Sequence, residues 1–342
     1  EYNTSTKLKM NKIFKRIRDS QSINKWHREF KRLHPEMYDY EGDPQKLRII
    51  LGPGRSGTSW LARTLAHTET PIRYVHEVFP HLNPKFCSSR QFDSTAIEYY
   101  KTLPNFHPLM KVYKSTTYTN IKQDLFLPNY YERKIRRNDS NFEFVLHKEV
   151  HALLATEGLI KALKCPIVLI TRNPIYVLDS LLTYKDISVP LWRNEAKYIT
   201  QSNFLSRFFP DKKGEIIENI TKYPDDGVNR TSVIVAKTLT IAIINRMLQT
   251  LADKYNNVKH IYYEDLILDP ITLFSESAKF FNLDFNEKAK AYLKKTLKAK
   301  DEEFDHTSIY RNTCKQRNRP FIGIYEDEVE LVSGVLKECD LI

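Results

Sequence analysis

Cysteine is scarce. Cys87, Cys165, Cys314 and Cys339 are the only four in 342 residues, far apart and without a CxxC pair. That excludes a disulfide-stapled scaffold and a paired-cysteine zinc site, and leaves reduced, partly buried thiols or one long-range disulfide. Long hydrophobic runs are missing too: no uninterrupted apolar stretch approaches the roughly 20 residues that cross a bilayer. The opening residues EYNTSTKLKMNK contain no apolar leader segment. There is no internal repeat, low-complexity tract or recognisable nucleic-acid-binding module. The 53 Lys and Arg, against 42 Asp and Glu, are spread along the chain and give a net charge of +11. Such a balance suits anionic partners, and its dispersal argues against nucleic acid.

What is present is concentrated in three segments. The run LRIILGPGRSGTSWL at residues 47–61 reads as a short apolar strand, Leu47 to Leu51, a glycine-rich turn, and a helix opening at about Ser59. A strand, such a turn and a helix N-terminus make an anion cradle of inward-pointing N–H groups backed by the helix dipole. The spacing from Gly52 to Gly57 is that of a phosphate-binding GxxxxGK[ST] loop, but Thr58 stands at the Lys position and the cation has moved to Arg55. Further on, Pro166 to Thr171 reads as a buried parallel strand. Arg172-Asn173-Pro174 follows it, and a helix from about Ile175 carries Ser180. A late strand from His260 runs into Tyr263-Glu264-Asp265-Leu266.

With these segments in the right order, the chain resembles the sulfotransferases that use 3′-phosphoadenosine 5′-phosphosulfate. In that family a GxxRSGT[TS] loop binds the 5′-phosphosulfate, and an Arg at a strand end with a Ser eight residues on binds the 3′-phosphate. The resemblance implies that Arg55, Ser56, Gly57, Thr58 and Ser59 hold the phosphosulfate and that Arg172 and Ser180 hold the 3′-phosphate. It extends over roughly residues 47–340, with the late strand matching the family's strand ending in YEDL. It further implies an in-line displacement without metal or covalent intermediate, leaving adenosine 3′,5′-bisphosphate as product. The acceptor is not readable from the residues: a carbohydrate, a peptide tyrosine and a small hydroxylated or amine metabolite all stay open, with a small-molecule or carbohydrate hydroxyl or amine as the expected one.

The base is where the resemblance divides. Lys148 lies 24 residues before Arg172, the spacing in cytosolic members between the Lys of a KTH segment and the 3′-phosphate Arg. The catalytic His expected two residues after it is replaced by Val150. The tyrosylprotein and heparan N-sulfotransferase branch instead uses a Glu downstream of the loop. Glu77, 22 residues past Arg55, answers to it and is favoured here over His76 and over His147, Glu149 and His151. The string His147-Lys148-Glu149-Val150-His151 is not HExxH and straddles a strand end, so no metal is expected there. Arg317 and Arg319, in a basic segment before the last helix, are further candidates for the nucleotide.

Strands alternating with helices imply an α/β fold with a mostly parallel central sheet covered by helices on both faces. The expected organisation is a charged helical arm over 1–46 and one sulfotransferase-like domain over 47–342. Cleft-forming insertions are expected near 80–140 and 185–232. A helix is expected from about Val233 to Tyr255, an Asp269 cap with Pro270 at the first helical position, and a last helix from Glu326 to Cys339. The expected compartment is the cytoplasm, or the Golgi lumen should an upstream anchor have been removed; the sequons at Asn3, Asn138, Asn219 and Asn229 would matter only there. A nucleotide kinase and a non-catalytic nucleotide-binding protein of the same fold stay as rival readings.

Overall fold

The computed structural model describes residues 40–76, 113–114, 116–117, 141–150, 152–183, 199–200, 203–224, 229–297 and 320–342, with Arg32 and Pro35. Most of the expected arm and nearly all of the 80–140 insertion lie outside them, as do Cys87 and Cys314.

Five strands are described: β1 (Leu47–Leu51), β2 (Ile72–His76), β3 (Phe144–Glu149), β4 (Ile167–Thr171) and β5 (Val258–Tyr262). They form one wholly parallel sheet in the order β2-β3-β1-β4-β5. The helices in chain order are α1 (Thr58–Leu65), α2 (Thr156–Leu163), α3 (Pro174–Thr183), α4 (Phe204–Phe208), α5 (Lys213–Lys222) and α6 (Arg230–Lys254). They continue with α7 (Tyr263–Leu268), α8 (Pro270–Phe280), α9 (Glu287–Leu297) and α10 (Glu326–Glu338).

The inner strands are largely apolar because both sheet faces are covered, with Arg48 in β1 and His147-Lys148-Glu149 in β3 as buried polar exceptions. Leu47, Ile49, Leu51, Val145, Ile167 and Leu169 point into one core, closed by α2, α3, α6 and α10. Ile50, Leu146, Val168, Ile170 and Tyr74 point into a second, closed by α1, α7 and α8. Helix α6 is long and apolar enough to cross a membrane, but 83% of its most apolar window is buried in the protein. Its hydrophobicity on nearly all sides is that of a core helix.

Local chemistry sets the helix ends. The Asn229 side chain caps α6 through the Ser232 N–H (3.2 Å), and Asp269 caps α8 through Thr272 (3.2 Å) with Pro270 at its first position. Glu326, Asp327 and Glu328 place three acids at the positive end of α10.

Two expectations change here. Tyr263-Glu264-Asp265-Leu266 does not end the late strand: β5 stops at Tyr262 and those residues open α7. The 185–232 stretch, expected to be irregular, contains α4, α5 and the start of α6. Cys165 and Cys339 are free and buried, and burial pushes their thiols up to about 12 and about 11. Asn219, one of the sequons, is buried in α5 with its amide on the Glu215 carbonyl (3.0 Å), which removes it as a glycan acceptor in the folded chain.

The topology decides where a ligand can sit. β1 is followed by α1 on one face of the sheet, and its neighbour β4 is followed by α3 on the other. Adjacent strands whose connections leave to opposite faces open a crevice at their C-terminal ends, the usual ligand position in open α/β sheets.

Candidate active site

The glycine-rich loop fills that crevice from the β1 side. The Gly52 N–H bonds the Glu149 carbonyl (3.3 Å), carrying the ladder one residue past β1, and a Cβ at Gly52 would collide with the Ile170 carbonyl oxygen. The chain then turns on a Ser56 N–H to Pro53 carbonyl bond (3.2 Å). Gly57 caps α1 at φ 87, and a Cβ there would stand 2.5 Å from the ring of Tyr263. The loop is therefore pressed against β4 and against the first residue of α7. Over Gly54 it is open, with nothing within 4 Å of an added Cβ. The hydroxyls of Ser56 and Tyr263 are buried without a hydrogen-bond partner among the described residues. Buried polar atoms in that state call for a partner such as water or a ligand, and here they flank the open loop.

The structure brings Arg55, Arg172 and Ser180 to one point. Arg55 Nε donates to Ser180 Oγ (2.9 Å), and Arg172 Nη1 donates to the Arg55 carbonyl (2.8 Å). Arg172 and Ser180 are 8% and 2% exposed, so the pair is built into the fold rather than solvated. The Arg172 guanidinium lies 4.4 Å from the Tyr263 ring centroid and 5.8 Å from that of Tyr176. Its backbone is fixed as well: the Asn245 amide of α6 donates to its carbonyl (2.7 Å), and the next N–H, that of Asn173, donates to Glu264 (3.0 Å). Asn173 in turn caps α3 through the Ile175 N–H (2.9 Å). Two guanidinium groups and the N-termini of α1 and α3 thus converge where β1 and β4 end, an arrangement that favours a ligand of several negative charges.

Tyr263 and Glu264 belong to this site, although no role follows for them from sequence reasoning. The signal was the YEDL match itself; what it lacked was the fold that sets Tyr263 against Gly57 and Glu264 under Asn173.

The other candidates are more scattered. Lys148 is buried (4% exposed) near the end of β3, in register with Ile50 of β1 and His76 of β2, so those side chains share a sheet face. His76 bonds the Tyr74 hydroxyl through Nδ1 (2.9 Å). His147 points to the opposite face and is fully buried, with Nε2 on Thr116 Oγ1 (2.8 Å). Burial pushes its pKa down to about 3, so it is neutral at physiological pH and a feeble proton acceptor. Glu149, also fully buried, accepts from the Val150 N–H (2.9 Å) and the Tyr113 hydroxyl (3.5 Å). His147, Lys148 and Glu149 all lie in a strand, and the described residues contain no group of three or more His, Cys, Asp or Glu able to hold a metal ion. Glu77, His151, Arg317 and Arg319 lie outside the described residues.

The profile of the family described as the sulfotransferase domain matches residues 46–322, and the chain belongs to that family. Among solved structures the chain is similar to the sulfotransferase domain of the Synechococcus PCC 7002 olefin synthase. Identity is 16%, over 86% of this chain and 95% of that one, with a TM-score of 0.38. It is also similar to mouse sulfotransferase SULT7A1 complexed with PAP, at 14% identity over 90% of this chain and 88% of that one, TM-score 0.40. A third, sulfotransferase STF1 of Mycobacterium tuberculosis H37Rv, shares 15% identity over 92% of this chain and 86% of that one, TM-score 0.37. No curated protein matches the sequence.

Proposed function

We propose that the chain transfers a sulfuryl group from 3′-phosphoadenosine 5′-phosphosulfate to a hydroxyl or amine of a small metabolite or carbohydrate. The observation that carries this reading is the convergence of Arg55, Arg172 and Ser180 beside a loop whose lysine position is Thr58. When bound, the donor supplies an activated sulfuryl group, whose S–O bond to the 5′-phosphate breaks as the acceptor atom bonds to sulfur. Arg55 and the N–H groups of Ser56 to Ser59 neutralise the charge that grows on the leaving phosphate. Arg172 and Ser180 read the 3′-phosphate, with Arg317 and Arg319 assigned to the same nucleotide. Lys148 contributes positive charge near the transferred group. Glu77, one residue past β2, takes the proton released by the acceptor.

The test is nucleotide preference. Adenosine 3′,5′-bisphosphate should raise the melting temperature, since a ligand that binds only the folded chain at a hundred times its dissociation constant adds ~2.7 kcal/mol. ATP with magnesium should do much less. A larger shift with Mg-ATP would overturn the assignment in favour of a phosphate-transfer role. Binding of the bisphosphate without turnover of labelled donor on any hydroxyl or amine would leave a non-catalytic nucleotide-binding protein.

A further inference from the structure

Asp179 sits in α3, one residue before Ser180, and is only 1% exposed. One of its carboxylate oxygens accepts two backbone hydrogen bonds, from Ile322 (2.8 Å) and Gly323 (2.7 Å). Bonds to an ionised acceptor are the strong kind, and here two of them fall on a single turn. A second grip closes the turn from the other side. Arg230 Nη2 donates to the Gly323 carbonyl (2.7 Å), while Nε and Nη2 hold Glu328 at 2.8 and 3.0 Å.

The clamped turn carries Phe321, and its ring stacks on Tyr176 with centroids 4.8 Å apart and planes at 27°. Tyr176 is the ring that lies 5.8 Å from the Arg172 guanidinium, which on the Tyr263 side is 4.4 Å from a second aromatic ring. Phe321, Tyr176, Arg172 and Tyr263 therefore follow one another as a row of neighbours, stacked at the Phe321–Tyr176 end and in cation–π range beyond it. Its outer end is held in place by a carboxylate from the same helix that presents Ser180. Without that carboxylate the turn loses two bonds and keeps the Arg230 grip, so the brace of Phe321 on Tyr176 is weakened.

We propose that Asp179 is a positioning residue: through the 320–323 turn and the Phe321–Tyr176 stack it fixes the Arg172 guanidinium where it reads the donor's 3′-phosphate. The proposal rests on the donor reading given above. Its signature is affinity for one phosphate, not turnover and not stability alone.

Calorimetric titration with adenosine 3′,5′-bisphosphate and with 5′-AMP tests it, because the two ligands differ by the 3′-phosphate. Asp179→Ala should weaken the bisphosphate about tenfold, a loss of the size expected for one charge-assisted contact, and leave 5′-AMP unchanged. Turnover at saturating donor should stay near the parent value. Asp179→Asn keeps an oxygen acceptor for the two N–H groups and should restore most of the affinity. Phe321→Leu leaves the clamp but removes the stack, so it should reproduce the selective loss even if Asp179→Ala does not fold. Glu157→Gln, in α2 and bonded to Arg207, Lys161 and Tyr255 rather than to this row, should lower the melting temperature without changing the ratio of the two affinities. A parent preference for the bisphosphate that survives in Phe321→Leu and in folded Asp179→Ala would overturn the positioning role alone. Equal binding of the two nucleotides by the parent protein would overturn the donor reading and this role with it.

Discussion

Arg55 is held at φ 68, where an L-residue with a side chain is strained by on the order of 1 kcal/mol. The loop around it keeps it there: Arg172 bonds its carbonyl and Ser180 its Nε. Strain that surrounding bonds over-determine is common where a side chain must be aimed. The two arginines should nevertheless fail differently. In the proposed reaction leaving-group charge grows in the transition state beside Arg55, so Arg55→Ala should lower kcat by about 10²–10³-fold, the usual loss for one donor at a developing anion. The 3′-phosphate of the proposed donor is remote from the reacting bond, so Arg172→Ala should mainly raise the donor dissociation constant. Equal losses in kcat with donor affinity intact in both variants would refute this division. At the acceptor side, Glu77→Gln should keep nucleotide binding and lose roughly 10²–10⁴-fold in turnover, the usual worth of a general base. The loss should shrink for acceptors whose nucleophile is already deprotonated. Near-normal turnover in Glu77→Gln, with a collapse in His151→Ala, would move the base to the end of β3; His147, neutral down to about pH 3, is not suited to the task.

At the scale of elements, legibility followed burial and punctuation. β1 and β4 were readable because a parallel strand covered on both faces is apolar at most positions, and a glycine-rich turn or an Arg-Asn-Pro ends each one. The Asp269–Pro270 cap and the acids opening α10 were equally direct, since they act within one turn of helix. The misreading at Tyr263 has a local cause. Ile261-Tyr262-Tyr263 is a run of strand-forming residues, and only Glu264 and Asp265 at a helix N-terminus argue for the switch. Polar residues inside the core were the least legible. His147-Lys148-Glu149 was expected to straddle a strand end, yet all three lie within β3 and His147 and Glu149 are fully buried, bonded by Thr116 and Tyr113 from a remote segment. Asp179 is the same case. Its partners Ile322 and Gly323 are far along the chain, and nothing within one helical turn announces them.

At the scale of the whole molecule, these buried polar groups set how the fold responds to acid. His147 and His260 have pKa values lowered by burial to about 3 and about 4, although Asp253 and Asp265 pull His260 the other way. In the unfolded chain both take up protons near pH 6.5, while the folded chain refuses them until well below. Where the unfolded state binds more protons, stability falls as pH falls, by up to ~1.4 kcal/mol per pH unit for each proton. Their contribution is therefore complete above pH 6.5 and is lost as pH falls toward 3 to 4. Glu157 adds a second window. Burial alone would raise its pKa, but Tyr255, Arg207 and Lys161 outweigh that and hold it at about 2. Its stabilisation is present above about pH 4.5, the ordinary value, and disappears as pH falls toward 2. Urea unfolding across this range should show a decline beginning near pH 6.5 and steepening below 4.5. His147→Gln should flatten the upper window by up to one proton's worth of slope, and Glu157→Gln should flatten the lower one. Identical pH slopes in parent and His147→Gln would mean that the imidazole is protonated inside the fold, and that the interior of this sheet is more polar than its packing implies.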